Sequence, residues 1–268
     1  MKIGFIGAGN MGGAILKGYA PAALENGDSI FVYNRTEETR KSLEQQYEAV
    51  TACESAEQLI ENSDVIMLGI KPAGFADFLP QIAEFVTDEK IIVSMAAGIS
   101  IDFIEKYLGN DKPVIRIMPN TPAQVGEAMT SVSRNKNVSD EIIDAVMKVF
   151  CAIGKAEEVP EEMIHCVIGV SGSSPAYTYM YIDALIQAAV ENGMDPDKAR
   201  VFAAQAVLGA AKMVLENEDV TPEQLRINVC SPGGTTIEAV NKFLENGLQE
   251  KVKEGFQAAV EKSKILSK

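Results

Sequence analysis

A glycine pattern near the amino terminus constrains the fold more than any other feature. The apolar run Lys2–Ile6 is followed at once by Gly7-Ala8-Gly9-Asn10-Met11-Gly12, which opens a helix-like segment. In such a pattern Gly7 permits a tight turn, Gly9 lets a pyrophosphate approach the backbone, and Gly12 lets the helix pack on the strand. We predict a strand–turn–helix unit whose helix N-terminus binds a dinucleotide. The alternative is a glycine-rich turn in an unrelated α/β fold.

Strand-like and helix-like segments alternate after this unit. Apolar runs that predict buried parallel strands occupy Ser29–Tyr33 and residues 64–70, 90–94 and 113–117. Helical patterns occupy residues 37–47, 55–62 and Ile101–Leu108, and a weaker strand at 129–133 precedes a helix at 139–153. This alternation predicts an α/β domain, a doubly wound Rossmann-type parallel sheet, over residues 1–158.

The rest of the chain, residues 159–268, is predicted to be an all-helical dimerisation and substrate-binding domain. Ser174-Pro175 and Asp195-Pro196 are typical helix starts, Asn192-Gly193 is a helix stop, and the last helix covers Leu248–Leu266. Residues 221–224 and 235–238 have capping-box spacing. Small residues cover most faces of residues 203–212, which indicates burial by other helices. We expect packing against a second copy; the alternative is a helical lid on a monomer.

Charge and composition narrow the possible partners and compartments. With 38 acidic and 24 basic residues the formal charge is -14, which disfavours nucleic acid and anionic membranes. No leader pattern and no membrane-spanning apolar run is seen, so a cytoplasmic protein is expected. The cysteines Cys53, Cys151, Cys166 and Cys230 form no C-x-x-C pair, and with one histidine no metal site is predicted. Free thiols are expected; a redox role for Cys230 is the alternative.

The end of the second strand distinguishes between NAD and NADP. It reads Asn34-Arg35-Thr36, without the carboxylate that usually binds the ribose hydroxyls of NAD. Arg35 can pair with a 2′-phosphate as a fork, and Asn34 and Thr36 can add hydrogen bonds. NADP(H) is therefore predicted, with NAD(H) as a weaker cofactor. The alternative is a solvated surface arginine.

Several further motifs occur in a fixed order. They are Gly69-Ile70-Lys71-Pro72, Ser94-Met95-Ala96-Ala97-Gly98, Met118-Pro119-Asn120-Thr121-Pro122, Gly172-Ser173-Ser174-Pro175-Ala176-Tyr177 and Val229-Cys230-Ser231-Pro232-Gly233-Gly234-Thr235-Thr236. With these motifs the chain resembles the pyrroline-5-carboxylate reductases from end to end. The resemblance implies reduction of 1-pyrroline-5-carboxylate to L-proline, the last step of proline biosynthesis. It also implies a homodimer or a ring of dimers.

The resemblance also implies roles for individual residues. Cofactor contacts would come from Gly69, Ile70, Lys71, Pro72, Ala96, Ala97, Asn120, Ala56 and Asn228. Asn120 would lie near the nicotinamide. Ala56 stands where a polar contact to the adenine-ribose end is common, and alanine offers no side-chain bond. Ser174 replaces a common glycine. Glu161, Asn228, Thr235 and Thr236 would line the reduced ring and the substrate.

The glycine turn before residue 235 gives an independent argument for substrate binding. Ser231, Gly233 and Gly234 lead into a helix that Thr235 and Glu238 are expected to cap, which would present free backbone N–H groups to a carboxylate. The Thr236 hydroxyl is the predicted catalytic group, as a hydrogen-bond donor to the ring nitrogen. Glu161 could favour the cationic imine. The alternatives are that Thr236 only caps the helix and that Glu161 is a solvated charge.

The sequence is also compatible with two other functions. The β-hydroxyacid dehydrogenases share the domain pair, but aligning Gly169 and Gly172 with their motif places Thr178 at the position of their catalytic lysine. A regulator that senses NADPH without turnover is the other rival. It would need no substrate pocket, and the turn at residues 231–236 argues against it.

Overall fold

The alternating apolar runs form one sheet in this computed structural model, which describes residues 1–267. The strands are β1 (Lys2–Ile6), β2 (Ser29–Tyr33), β3 (Val50–Ala52), β4 (Val65–Leu68), β5 (Ile91–Ser94), β6 (Val114–Met118), β7 (Ala128–Arg134) and β8 (Gly154–Glu158). Their order is β3-β2-β1-β4-β5-β6-β7-β8. The first six follow the doubly wound order, which confirms the predicted Rossmann-type fold.

Helices cover the sheet and make up the regular structure that follows β8 in the described chain. They are α1 (Asn10–Asn26), α2 (Glu37–Gln46), α3 (Ala56–Asn62), α4 (Phe75–Ile82), α5 (Ile101–Leu108), α6 (Asp140–Cys151), α7 (Ile164–Val167), α8 (Ser174–Glu191), α9 (Pro196–Glu216), α10 (Pro222–Asn228), α11 (Thr235–Glu245) and α12 (Leu248–Leu266). No helix within residues 1–267 is long and apolar enough to cross a membrane.

The core has one apolar cluster on each face of the sheet. In β4, Val65 and Met67 enter one cluster, which α1 and α6 cover, while Ile66 and Leu68 enter the other, which α3, α4 and α5 cover. Alternate side chains of a strand point to opposite faces, so a strand buried on both faces must be apolar throughout. That requirement is why the continuous apolar runs identified β1, β4 and β5 correctly.

The sheet departs from the prediction at one edge. β7 pairs antiparallel with β6, and β8 then pairs parallel with β7. Only residues 119–127 separate β6 from β7, and a parallel return needs a crossover of roughly a dozen residues or more. β3, β8 and α4 went unpredicted. β3 and β8 are the two edge strands, and the sequence of β8, GKAEE, has no apolar run.

The described chain forms two compact units. One comprises Met1–Ser173 together with the residues from Ala259 onward, and the other comprises Ser174–Ala258. The domain limits 1–158 and 159–268 stay a prediction, and Lys268 lies outside the described residues. In the helical unit α8 and α9 pack on each other.

Most predicted helix ends are confirmed. Asp195 caps α9 by accepting the Lys198 N–H at 3.1 Å, Thr221 caps α10, and Gly193 follows α8 with a φ of +89°. Ser174 is the first residue of α8 rather than its cap. Helical segments already cover Ile164–Val167 and Ile168–Gly172, so the chain is helical before α8 begins.

Candidate functional site

The glycine turn after β1 is packed as the sequence predicts. Gly7 has a φ of +96°, and a Cβ on it would lie 2.7 Å from the Gly69 carbonyl oxygen. A Cβ on Gly12 would lie 2.3 Å from the Gly7 carbonyl oxygen, whereas a Cβ on Gly9 would meet nothing within 4 Å. Gly7 and Gly12 thus allow close backbone packing, and Gly9 faces open space where a phosphate could approach.

The N-terminus of α1 presents donors to that open space. Gly9 is its N-cap, no side chain caps it, and its first turn contains no acidic residue. The first N–H groups of a helix have no intrahelical acceptor, and the helix dipole is positive there. Because the chain is strongly acidic, this local field is what can attract the anionic pyrophosphate.

The end of β2 leaves a free cation beside the glycine turn. The Asn34 Oδ1 accepts the Ala8 N–H at 3.3 Å, which ties the two loops together. Arg35 is exposed and has no hydrogen bond or ion pair with the described residues. Thr36 is the N-cap residue of α2, and its side chain makes no capping hydrogen bond. A guanidinium left unpaired at this point can receive a 2′-phosphate.

Arg40 supports this loop, a role that was not predicted from the sequence. Its Nη1 donates to the Asn34 carbonyl oxygen at 3.2 Å, and its Nη2 donates to Glu54 at 2.7 Å. The side chain is buried, and its Nε has no partner in the described part of the chain. A hint was present in the sequence, since Arg40 lies three residues before Leu43 on the buried face of α2.

A cleft of about 520 Å³ opens at the carboxyl ends of β1, β4 and β5. Its lining residues are Gly9, Asn10, Met11, Gly12, Gly69, Ile70, Lys71, Pro72, Met95, Ala96 and Ala97. All but Met95 were predicted to bind the cofactor. Ligands of doubly wound sheets bind outside the carboxyl ends of the strands, where the strand order reverses. The shape, the free N–H groups and the unpaired Arg35 therefore fit an NADP(H) molecule.

Two predicted cofactor residues are buried. Asn120 donates from Nδ2 to the Ser171 carbonyl oxygen at 3.1 Å and accepts the Met129 N–H at 2.9 Å. Ala56, the first residue of α3, lies in the apolar cluster with 5% exposure. Their contact with the cofactor stays a prediction, and the amide of Asn120 already has internal partners.

Glu161 belongs to a charged contact with β6. Its Oε1 accepts the Arg116 Nη1 at 2.8 Å and the Ile101 N–H at 2.9 Å. Arg116 is 3% exposed, and its Nε and Nη2 have no partner within the described residues. The alternative of a solvated Glu161 is therefore wrong, while a role toward the substrate stays a prediction.

His165 lies beside this contact. Its Nδ1 is 2.8 Å from the Ser263 Oγ. Burial lowers the pKa of His165, and the nearby cations Arg116 and Lys264 lower it further, against an opposing effect of Glu161. The neutral imidazole is therefore favoured, and it joins two segments of the chain.

The predicted substrate turn lies in the helical unit, and it differs from the prediction in the residue that caps α11. Gly233 has a φ of +69°, and the Gly234 N–H donates to the Ser231 carbonyl oxygen at 3.0 Å. The expected cap by Thr235 and Glu238 is wrong. Gly234 is the N-cap of α11, no side chain caps it, and Thr235 and Thr236 are the first two helical residues. Both threonines are exposed, so the first turn keeps free N–H groups for an anion.

Asn228 also lies in the helical unit rather than among the residues of the cleft. It is the last residue of α10, and its Oδ1 accepts a hydrogen bond from Gln224 at 2.9 Å. The four cysteines are free thiols, with Cys53 buried and Cys230 partly buried. Burial raises the pKa of Cys53, with the nearby carboxylates of Glu44 and Glu54 adding to the effect.

Known proteins match this chain over its whole length. The family model for pyrroline-5-carboxylate reductase dimerisation matches residues 161–266, and that for NADP oxidoreductase, coenzyme F420-dependent, matches residues 2–98. The pyrroline-5-carboxylate reductase of Escherichia coli is 45% identical over 267 residues, which cover 100% of this chain and 98% of that protein.

Solved structures agree with this match. A pyrroline-5-carboxylate reductase from Coxiella burnetii is similar with a TM-score of 0.92 and 32% identity, covering 99% of this chain and 98% of that one. The Plasmodium falciparum pyrroline carboxylate reductase with NADP bound has a TM-score of 0.88 and 29% identity, covering 100% and 98%. This chain therefore belongs to the pyrroline-5-carboxylate reductase family.

Proposed function

We propose that the chain reduces 1-pyrroline-5-carboxylate to L-proline with NADPH, the last step of proline biosynthesis. The observation that carries the proposal is the full-length similarity to the Escherichia coli enzyme, together with a glycine turn and cleft that fit the cofactor. Bound NADPH supplies the hydride for the C=N carbon. The residues of the chain hold the reactants at contact distance and leave the chemistry to the cofactor.

NADPH is the preferred cofactor, and NADH is the weaker one. The end of β2 has no carboxylate at positions 34–36, and Arg35 is free to pair with a 2′-phosphate. The related Plasmodium falciparum structure holds NADP. The residues proposed at the phosphates and along the cleft are those of the glycine turn, the end of β2, and the turns after β4 and β5.

The turn before α11 binds the substrate carboxylate. Its free N–H groups at Thr235 and Thr236, in the first turn of the helix, form an anion site and need no arginine. The Thr236 hydroxyl donates a hydrogen bond to the ring nitrogen as the imine becomes an amine. Ser231, Gly233 and Gly234 shape the turn, and Glu161 contributes negative charge that favours the cationic imine.

The chain assembles through its helical part and works in the cytoplasm. Tyr179, Met180, Val201, Phe202 and Leu208 are all exposed by more than half in the single chain. Large apolar side chains exposed in this number favour burial against a partner. The match to the dimerisation family supports a homodimer, and a ring of dimers is the larger form that we propose. Four free thiols fit a reducing compartment.

The direct test is the oxidation of NADPH by 1-pyrroline-5-carboxylate, followed by absorbance, with L-proline identified by mass spectrometry and NADH run in parallel. Thr236→Val should lower kcat roughly 100-fold, because the nitrogen that gains a lone pair as the imine becomes an amine loses its hydrogen-bond donor. Thr51→Val, on the exposed edge strand β3, is the matched control. A wild-type chain that binds NADPH but turns over no cyclic imine would favour the sensor function instead.

A further inference from the structure

The turn after β5 forms one wall of the cofactor cleft. Ala96 and Ala97 line the cleft, and neither side chain can make a hydrogen bond. The position of this wall therefore depends on what packs behind it. Gly98, the next residue, has a φ of +83°, and a Cβ on it would lie 2.6 Å from the Leu266 carbonyl oxygen. The turn thus rests directly on the backbone of the last turn of α12.

The other end of the same turn is held from a second direction. Ile101 begins α5, and its N–H donates to the Glu161 Oε1 at 2.9 Å. Glu161 is fixed in turn by the buried Arg116 of β6 at 2.8 Å. The short segment between Ala97 and Ile101 is therefore anchored at both ends by residues that are distant in sequence.

The two anchors are linked through His165. His165 follows Glu161 by four residues in one continuous helical segment, and its Nδ1 is 2.8 Å from the Ser263 Oγ of α12. Ser263 and Val260 are 6% and 7% exposed, although most of α12 faces solvent. The residues from Ala259 onward also group with Met1–Ser173, the unit that contains the sheet and the cleft, and not with the rest of their own helix.

We propose that the end of α12, residues 259–266, positions the cofactor-binding wall of the cleft. Leu266 supports Gly98 by backbone contact, and Ser263 holds His165 and, through that segment, the Glu161 carboxylate that binds the Ile101 N–H. Ser263, His165, Gly98 and Leu266 are positioning residues, since none of them lines the cleft. Binding NADPH against a wall that is already ordered costs less conformational entropy.

The inference rests on the proposed function only in taking NADPH as the ligand, so its test has one measurement that needs no ligand. Amide hydrogen exchange is measured on the cofactor-free chain, and the Kd for NADPH is measured by calorimetry. Ser263→Ala should speed exchange of the Ile101 amide and raise the Kd about five- to tenfold, the effect of one net hydrogen bond. A chain shortened after Lys264 should also speed exchange of the Ile99 amide, which donates to the Ala96 carbonyl oxygen at 3.3 Å across the same turn.

Ile265→Ala is the matched control, because Ile265 lies in the same helical end and is 60% exposed. It should change neither quantity. In steady state the KM for NADPH should rise in Ser263→Ala, while the KM for the imine stays constant. Unchanged exchange and unchanged Kd in Ser263→Ala and in the shortened chain would overturn the proposal. If the wild-type chain bound no NADPH, the proposed function would fail, and the exchange data alone would decide whether the end of α12 orders the wall.

Discussion

At the scale of single residues, we expect Arg35 to determine the preference for NADPH over NADH. Arg35→Ala removes an unpaired guanidinium at the end of β2, and a bond to a charged group contributes about 1.5–3 kcal/mol. Because Arg35 is exposed, we expect the lower limit, a rise of about tenfold in the Kd for NADPH. The Kd for NADH should not change. Calorimetry with both cofactors checks this.

Lys136→Ala is the matched control for Arg35, since Lys136 is also an exposed cation without a partner in the described chain. It should leave both dissociation constants unchanged. An equal loss of affinity for NADPH and NADH in Arg35→Ala would mean that Arg35 does not recognise the 2′-phosphate.

Tyr19 gives a prediction about alkaline stability. It is 1% exposed, and burial together with its hydrogen bond to Asp28 raises its pKa to about 12 from the ordinary value of 10.0. Between these values the unfolded chain loses the phenol proton while the folded chain keeps it, so stability falls as pH rises. The free energy of unfolding of the wild type, relative to Tyr19→Phe, should fall by about 1.4 kcal/mol from about pH 9 to about pH 11. Urea unfolding at both values measures this, and a constant difference would contradict it.

The residues that the sequence identified and those it missed differ in what they contact. Gly7 and Gly12 could be predicted because a local motif dictates their conformation. The ion pairs of Arg40 with Glu54 and of Arg116 with Glu161 could not be predicted. The partners in each pair are distant in sequence and meet only in the folded chain.

At the scale of elements, polar contacts hold the segment after β8 against the sheet. The Ser133 Oγ donates to the Val159 carbonyl oxygen at 2.7 Å, Asn120 donates to Ser171, and Glu161 pairs with Arg116. Glu161→Ala leaves the buried guanidinium unpaired, so we expect a loss of about 3 kcal/mol in the free energy of unfolding. Denaturant unfolding measures the loss.

A double mutant separates the ion pair from the packing around it. Adding Arg116→Met to Glu161→Ala removes the unpaired buried guanidinium, so the free energy of unfolding should recover in part. Buried ion pairs can often be replaced by apolar groups without loss of stability. If the double variant were less stable than Glu161→Ala alone, the pair would not act as a unit. Glu162→Ala is the matched control, since Glu162 is the exposed neighbour of Glu161, and it should cost little stability.

Strands and helices could be predicted from the sequence where burial or helix capping requires particular residue types at neighbouring positions. The runs in β1 and β4 and the cap at Asp195 are patterns of this kind. β8 lies on the sheet edge with charged side chains, and its place depends on pairing with β7 rather than on its own composition. The start of α11 was misjudged by one residue, because Gly234 takes the capping position through its extended backbone.

At the scale of the whole molecule, the helical unit exposes large apolar side chains in the single chain. Phe202 and Met180 are 67% and 74% exposed, and they lie on α9 and α8. Monomeric proteins rarely expose large contiguous apolar patches, so these side chains need a partner. The charge of -14 keeps assembled particles apart in solution without preventing a specific apolar contact.

Phe202→Glu should therefore break the assembly. A carboxylate buried at an apolar interface loses its hydration without a counter-charge, which costs several kcal/mol and shifts the equilibrium toward single chains of 28.9 kDa. Sedimentation equilibrium measures the mass. Val125→Glu is the matched control, since Val125 is 76% exposed but belongs to the unit that contains the sheet, and it should leave the mass unchanged. A wild-type mass equal to one chain would contradict the dimer, whereas a mass several times that of a dimer would identify the ring.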